Sequence, residues 1–165
     1  MELEYFPNKF EQTLAEIENY PLDYLILGQH YLNGDIERHY VGQRRTEEIW
    51  LEIYVNQVIE GIETGKFLYV AHPDIINYER EDAVYDRYMT RLAKRLKAYH
   101  MPVELNVNGC RKEKSYPRKR FIELAEQEGC DFIIGVDAHV PNELIDFEHY
   151  QKCEKMVSSE NLFWN

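Results

Sequence analysis

Three histidines and an aspartate stand just beyond short apolar runs in this chain. Leu27 is followed by Gly28-Gln29-His30, Ala71 by His72-Pro73-Asp74, and Val136 by Asp137-Ala138-His139. A fourth run, Val103-Glu104-Leu105, leads into Asn106-Val107-Asn108-Gly109. Imidazole and carboxylate groups are ligands for zinc, iron or manganese, and a partial shell leaves positions for water and substrate. Asp137 and His139 are two residues apart, so both side chains can point to one side of an extended segment. A single histidine after a strand is more often a hydrogen-bonded loop residue than a ligand. Its recurrence at the same phase of successive units is what argues for a metal site.

The elements that must position these groups follow from hydrophobic periodicity. Leu3–Phe6, Tyr24–Leu27, Phe67–Ala71, Val103–Val107 and Phe132–Val136 are short apolar runs of the kind buried parallel strands show. Between them run one-sided stripes. Leu51, Val55, Val58, Ile59 and Ile62 make one that ends near Gly65; Tyr85, Tyr88, Met89, Leu92, Leu96 and Tyr99 make another. A third helix is expected after Ser115, with Pro117 near its first turn and Gly129 at its end; residues 8–19 and 141–157 also read as helical. Strands alternating with such helices predict an α/β fold with a parallel sheet, whose carboxyl ends gather ligand-binding groups on one face. An ordinary eight-stranded barrel takes roughly 250 residues, so five such units leave the sheet open or the barrel partial.

Composition narrows the function classes. The 165 residues suit a single domain over 1–165, and 44% apolar and 13% aromatic content supplies a core. Formal net charge is −11, and basic residues cluster only briefly (Arg44-Arg45, Arg111-Lys112, Lys114, Arg118-Lys119-Arg120), which speaks against a nucleic-acid partner. The 3 cysteines, Cys110, Cys130 and Cys153, form no CxxC pair, so neither a zinc ribbon nor a disulfide framework is expected. With no basic region leading an apolar stretch at the start and no long apolar run, no membrane association is expected and the chain reads as soluble and cytoplasmic.

The strings resemble those of the polymerase and histidinol phosphatase (PHP) superfamily, specifically its histidinol-phosphatase branch. The matching segments are Met1-Glu2, Gly28-Gln29-His30-Tyr31-Leu32, Ala71-His72-Pro73-Asp74, Asn106-Val107-Asn108-Gly109-Cys110-Arg111 and Gly135-Val136-Asp137-Ala138-His139. They span nearly the whole chain in order. The resemblance implies a partial, distorted (βα)7 TIM-like barrel with parallel strands. It implies divalent ions, Zn, Mn or Fe, two or three in an intact domain. It makes Glu2, His30, His72, Asp137 and His139 metal ligands, with Asp137 and His139 also catalytic. Arg111 would hold substrate phosphate, Asn106 would contribute to substrate binding, and Glu104 with Asn106 would shape the floor. The family's His-x-His and Thr-Asp-His motifs, which precede the Glu-bearing strand, are absent. His39, His100 and His149 do not replace them and are expected at the surface or on helices. The chain thus resembles the C-terminal portion of such a domain.

The resemblance implies a metal-dependent phosphomonoester hydrolase of the histidinol-phosphatase type, acting on a small phosphorylated metabolite in histidine biosynthesis. One alternative is a catalytically weak metal-binding remnant or subunit of a split protein. Another is a nuclease or proofreading module, which the acidic charge disfavours. Missing barrel strands would leave the first strand as an open edge, favouring a homo-oligomer or a complementing N-terminal segment.

Overall fold

Short strands and long helices alternate along the chain, but the strands are shorter than the apolar runs that encode them. The structure is a computed structural model and describes residues 1–32 and 39–163. In order they are β1 (Glu2–Leu3), α1 (Phe10–Ile17), β2 (Ile26–Leu27), β3 (Tyr31–Leu32), β4 (His39–Tyr40), α2 (Glu48–Glu63) and α3 (Asp82–Ala98). There follow β5 (Val103–Asn106), α4 (Val107–Arg111), α5 (Lys119–Gln127), β6 (Phe132–Gly135), a 3-10 turn (Pro141–Ile145), α6 (Phe147–Glu154) and a second 3-10 turn (Ser159–Asn161).

Parallel pairing carries the architecture. β1 pairs with β2 in the register Glu2 to Ile26, and β5 with β6 in the register Val103 to Phe132. The expected strand Phe67–Ala71 is reduced to bridges at Val70, which joins Leu27 on one side and Val103 on the other, both parallel. A last parallel bridge links Phe132 to Leu162. The result is a mixed α/β fold with a parallel ribbon running β1, β2, Val70, β5, β6. Among the described residues no pairing joins β1 to the Leu162 edge, and they form no closed barrel. Two short elements escaped the sequence reading: the antiparallel pair β3–β4, and α4, which begins where the apolar run was expected to continue as strand.

The apolar side chains of the ribbon form the centre of the core. Leu27, Val70, Leu105 and Phe132 are fully enclosed, with Val103 at 1% exposure. Each such side chain contributes about 1.5–3 kcal/mol by leaving water. The helices cover it with the predicted stripes: Leu51, Val55, Val58 and Ile62 of α2 and Tyr85, Met89, Leu92 and Leu96 of α3 are all buried. α2 packs on α3, α3 on α5, and α4 on α6.

Three helix C-termini are set by backbone geometry. α3, α4 and α5 each finish with a left-handed residue, His100, Glu113 and Gly129, at φ 54°, 48° and 69°. In each, the next amide returns to a carbonyl inside the last turn: Met101 to Leu96, Lys114 to Gly109, Cys130 to Ala125. This is the Schellman arrangement, which satisfies carbonyls that a helix end would leave bare. The turn after α4 faces the site described next. Pro117 lies before α5 rather than in its first turn. No helix among the described residues is long and apolar enough to cross a membrane.

Candidate metal centre

Glu2 is the second residue of the chain and the first of β1, and its carboxylate lies across the end of β2. A Cβ on Gly28 would come within 1.8 Å of Glu2 Oε1, so only a glycine there leaves the carboxylate its place. His30 follows two residues later, with Nε2 3.6 Å from Glu2 Oε1. Behind it, Glu4 Oε1 lies 3.4 Å from His30 Nδ1, and Glu4 Oε2 accepts the Tyr31 amide. A carboxylate behind an imidazole fixes the ring and selects the nitrogen turned to the site. The sequence reading overlooked Glu4, although its place two residues after Glu2 on an extended segment was a usable signal.

His72 comes from the other side of β2, just after the Val70 bridge. Its Nε2 is 3.5 Å from Glu2 Oε1, its side chain is 3% exposed, and its ring meets that of His30 edge-on with centroids 4.8 Å apart. The backbone here is left-handed at φ 33°, unusual for a residue with a side chain. What holds it is Glu104 of β5, whose buried Oε2 accepts the His72 amide at 2.6 Å. His72 Nδ1 is buried and has no hydrogen-bond partner.

The charges adapt to this packing. The His72 imidazole beside it holds the Glu2 carboxyl below its usual range, against the opposing effect of burial. Burial works to lower the His72 pKa, but the adjacent Glu2 carboxylate and the charges of Glu104 and Asp137 outweigh it and raise it. Burial pushes Glu104 up, opposed by His72 and by the amide of Asn106.

Glu2, His30 and His72 are the one cluster of potential metal ligands among the described residues, with donor atoms within 4.8 Å of one another. A tetrahedral ion with bonds of about 2.1 Å separates its donors by about 3.4 Å. Glu2 Oε1 lies 3.6 and 3.5 Å from the two imidazole nitrogens, which fits.

Asp137 and His139 line the same cavity as these three, a space of about 460 Å³ shared with Glu4, Tyr40, Asn108, Lys112, Lys114 and Tyr116. They are held differently. Asp137, left-handed at φ 48°, has its Oδ2 occupied by the side-chain amides of Asn106 and Asn108, each at 3.1 Å. His139 is largely exposed, its Nδ1 lying 3.0 Å from the Asp137 carbonyl oxygen and its amide donating to Glu143.

Two residues expected to bind substrate lie outside the cavity lining. Asn106 is fully buried and does not line the cavity: its amide bridges Glu104 and Asp137 while its oxygen caps α4 through the Gly109 amide. Arg111 also lies outside the lining. Its guanidinium donates to Asp146 Oδ2 at 2.6 Å and to the Glu143 carbonyl oxygen, with Glu143 Oε2 at 3.4 Å. Two acidic partners thus already satisfy the cation expected to bind phosphate. Lys112 and Lys114, which the sequence reading passed over, line the cavity instead; their membership in a short basic cluster was the only signal.

No protein-family model matches the chain, and no curated protein does. Solved structures do. One is the crystal structure of histidinol phosphate phosphatase (HISK) from Lactococcus lactis subsp. lactis Il1403, complexed with Zn, L-histidinol and phosphate. It matches at TM-score 0.72 and 14% identity over 98% of this chain and 65% of that one. Another is the protein assigned as histidinol phosphatase hisK from Listeria monocytogenes, at TM-score 0.68 and 17% identity over 91% of this chain and 66% of that one. At such identities the likeness is one of fold. The chain spans about two thirds of the length of each of these structures.

Proposed function

We propose that this chain binds a divalent metal ion through Glu2, His30 and His72 and serves phosphomonoester hydrolysis of the histidinol-phosphatase type, on an open segment of a (βα)7-like barrel. One observation carries the reading. A three-donor cluster, with Glu2 Oε1 3.6 and 3.5 Å from the two imidazole nitrogens, opens into a cavity that also holds two lysines. The fold likeness to a phosphatase that binds zinc, histidinol and phosphate supports it.

A divalent ion bound there supplies positive charge to polarise a phosphoryl oxygen and to make water a better nucleophile. Everything else falls to the side chains. Glu4 keeps His30 Nδ1 engaged so that Nε2 faces the site, and Glu104 holds the strained His72 backbone. Asn106 and Asn108 fix Asp137 at the cavity wall. His139, exposed beside Asp137 on the cavity lining, would give a proton to a departing alkoxide. A cationic alcohol of the histidinol kind would be drawn by the carboxylates around the cavity.

A second reading, metal binding without turnover, has its own support. Asp137 Oδ2 is occupied by two asparagine amides, and the described residues hold one three-donor cluster. The test for both is His72→Ala. Bound metal, measured by elemental analysis after dialysis, should fall to background, and hydrolysis of histidinol phosphate or an aryl phosphate should fall with it. Unchanged metal content in the variant would sink the metal assignment. Normal metal in the parent chain with no turnover would favour the second reading.

A further inference from the structure

Resting on the phosphatase reading, we propose that Lys112 and Lys114 form the phosphate-binding side of the cavity, in place of the ion-paired Arg111. The cavity wall carries the carboxylates of Glu2, Glu4 and Asp137. A phosphomonoester brings up to two further negative charges, and a divalent ion alone does not balance that sum. Additional cations must come from the wall, and the wall's lysines are Lys112 and Lys114.

Their availability separates them from Arg111. Neither ammonium has a hydrogen-bond or ion-pair partner among the described residues; Lys112 acts on Glu143 only through its field. Arg111, one residue away, is held by Asp146 and Glu143 with its side chain 15% exposed. Freeing it would take from Asp146 and Glu143 their guanidinium partner, so its charge is already engaged.

Their placement is fixed by the backbone. Lys112 is the last residue of the α4 cap, Glu113 takes the left-handed position, and Lys114 follows. The Lys112 amide donates to the Asn108 carbonyl, that of Glu113 to Cys110 and that of Lys114 to Gly109. Gly109 in turn must be a glycine, since a Cβ there would come within 2.3 Å of the Tyr116 carbonyl oxygen. The Schellman turn therefore presents two lysines, one on each side of a reversal, at the cavity edge. Cations at a helix C-terminus also complement its dipole, which is the competing, purely structural role.

The experiment compares the parent chain, Lys112→Gln/Lys114→Gln and Arg111→Gln. Inorganic phosphate binding is measured by calorimetry, bound metal by elemental analysis, and KM and kcat on an aryl phosphate. The lysine pair should weaken phosphate binding and raise KM about tenfold or more, as expected for losing charge-assisted contacts. Metal content and melting temperature should stay unchanged. Arg111→Gln should lower the melting temperature and leave phosphate affinity near the parent value. Unaltered phosphate affinity in the lysine variant would overturn the proposal while leaving the phosphatase reading intact. So would a loss of affinity confined to Arg111→Gln. Lysine-dependent phosphate binding in a chain that holds no metal would support the subsite and count against the metal reading.

Discussion

Two carboxylates in this molecule are seated in the same way and used in opposite ways. Glu2 at the start of β1 lies over Gly28, and Glu104 in β5 lies over Gly135; in each case a Cβ on the glycine would come within 1.8 Å of the carboxylate Oε1. The register repeats as well. Glu2 aligns with Ile26 and Glu104 with Ile133, so each glycine sits two residues beyond its carboxylate's partner. Beyond that the surroundings diverge. Glu104 is 3% exposed, and its Oε2 accepts the His72 amide and the Asn106 side chain. Glu2 has a side chain 38% exposed and faces two imidazoles across 3.5 and 3.6 Å, too far for a strong hydrogen bond and right for sharing an ion. One seat makes a carboxylate into a support for the backbone, and the other leaves it free to act as a ligand. Enclosure decides which.

The difference can be broken first at the carboxylates themselves. Glu104→Ala strips two buried donors of their acceptor and opens a hole, so chemical denaturation should show a loss of about 3 kcal/mol or more. Glu2→Ala should stay within about 1 kcal/mol of the parent while abolishing metal binding. Similar stability losses in both would mean the two seats are equivalent.

The glycines give a finer version. Gly135→Ala drives a methyl into a carboxylate that cannot move, with an expected cost of about 1–3 kcal/mol in the same assay. Gly28→Ala meets a carboxylate that can swing into water, so stability should change by no more than about 0.5 kcal/mol. Its metal content should fall nonetheless. Retained metal in Gly28→Ala would show that Glu2 reaches the site from another rotamer.

The smallest effect concerns a third carboxylate. Arg111, and after it His149, hold the Asp146 carboxyl well below its ordinary value of 3.8. A depressed folded-state pKa contributes stability that is present above 3.8 and lost as pH falls through the lower folded value. Asp146→Asn keeps an oxygen to cap α6 at the His149 amide but loses the charge. Its melting temperature should lie below the parent's at neutral pH, and the gap should narrow in acid below pH 3.8. A gap that persists unchanged in acid would show the pair contributes packing rather than charge.

What could be read in advance follows how local the encoding is. The stripes of α2 and α3 and the runs of β5 and β6 lie within a residue or a few of their observed bounds, because burial on one face imposes its period directly. Phe67–Ala71 read as a strand of the same rank yet forms only bridges at Val70, backed by backbone hydrogen bonds of Leu68, Tyr69 and Ala71 to Leu25 and Leu27, since pairing depends on neighbours from distant segments. β3–β4 was invisible for the same reason, and His39, expected at the surface or on a helix, sits in β4 with its ring 4.7 Å from that of Trp50. At the site, His30, His72, Asp137 and His139, singled out by their phase after apolar runs, line one cavity. The ion pairs of Arg111 were not legible, because Glu143 and Asp146 lie over thirty residues on and nothing local announces them.

The brevity of β1 has a thermodynamic consequence. This strand pairs over only Glu2 and Leu3, so its hold on β2 rests on few hydrogen bonds. Yet its first residue is one corner of a ligand triangle whose other corners follow β2 and the Val70 bridge. An ion gripping all three would act as a removable cross-link, closing two loops of chain and subtracting their entropy from the unfolded state. The resistance of the chain to heat would then climb with the logarithm of free metal concentration, by mass action. Loading the site and fastening the end of the sheet would be a single equilibrium, observed from two sides.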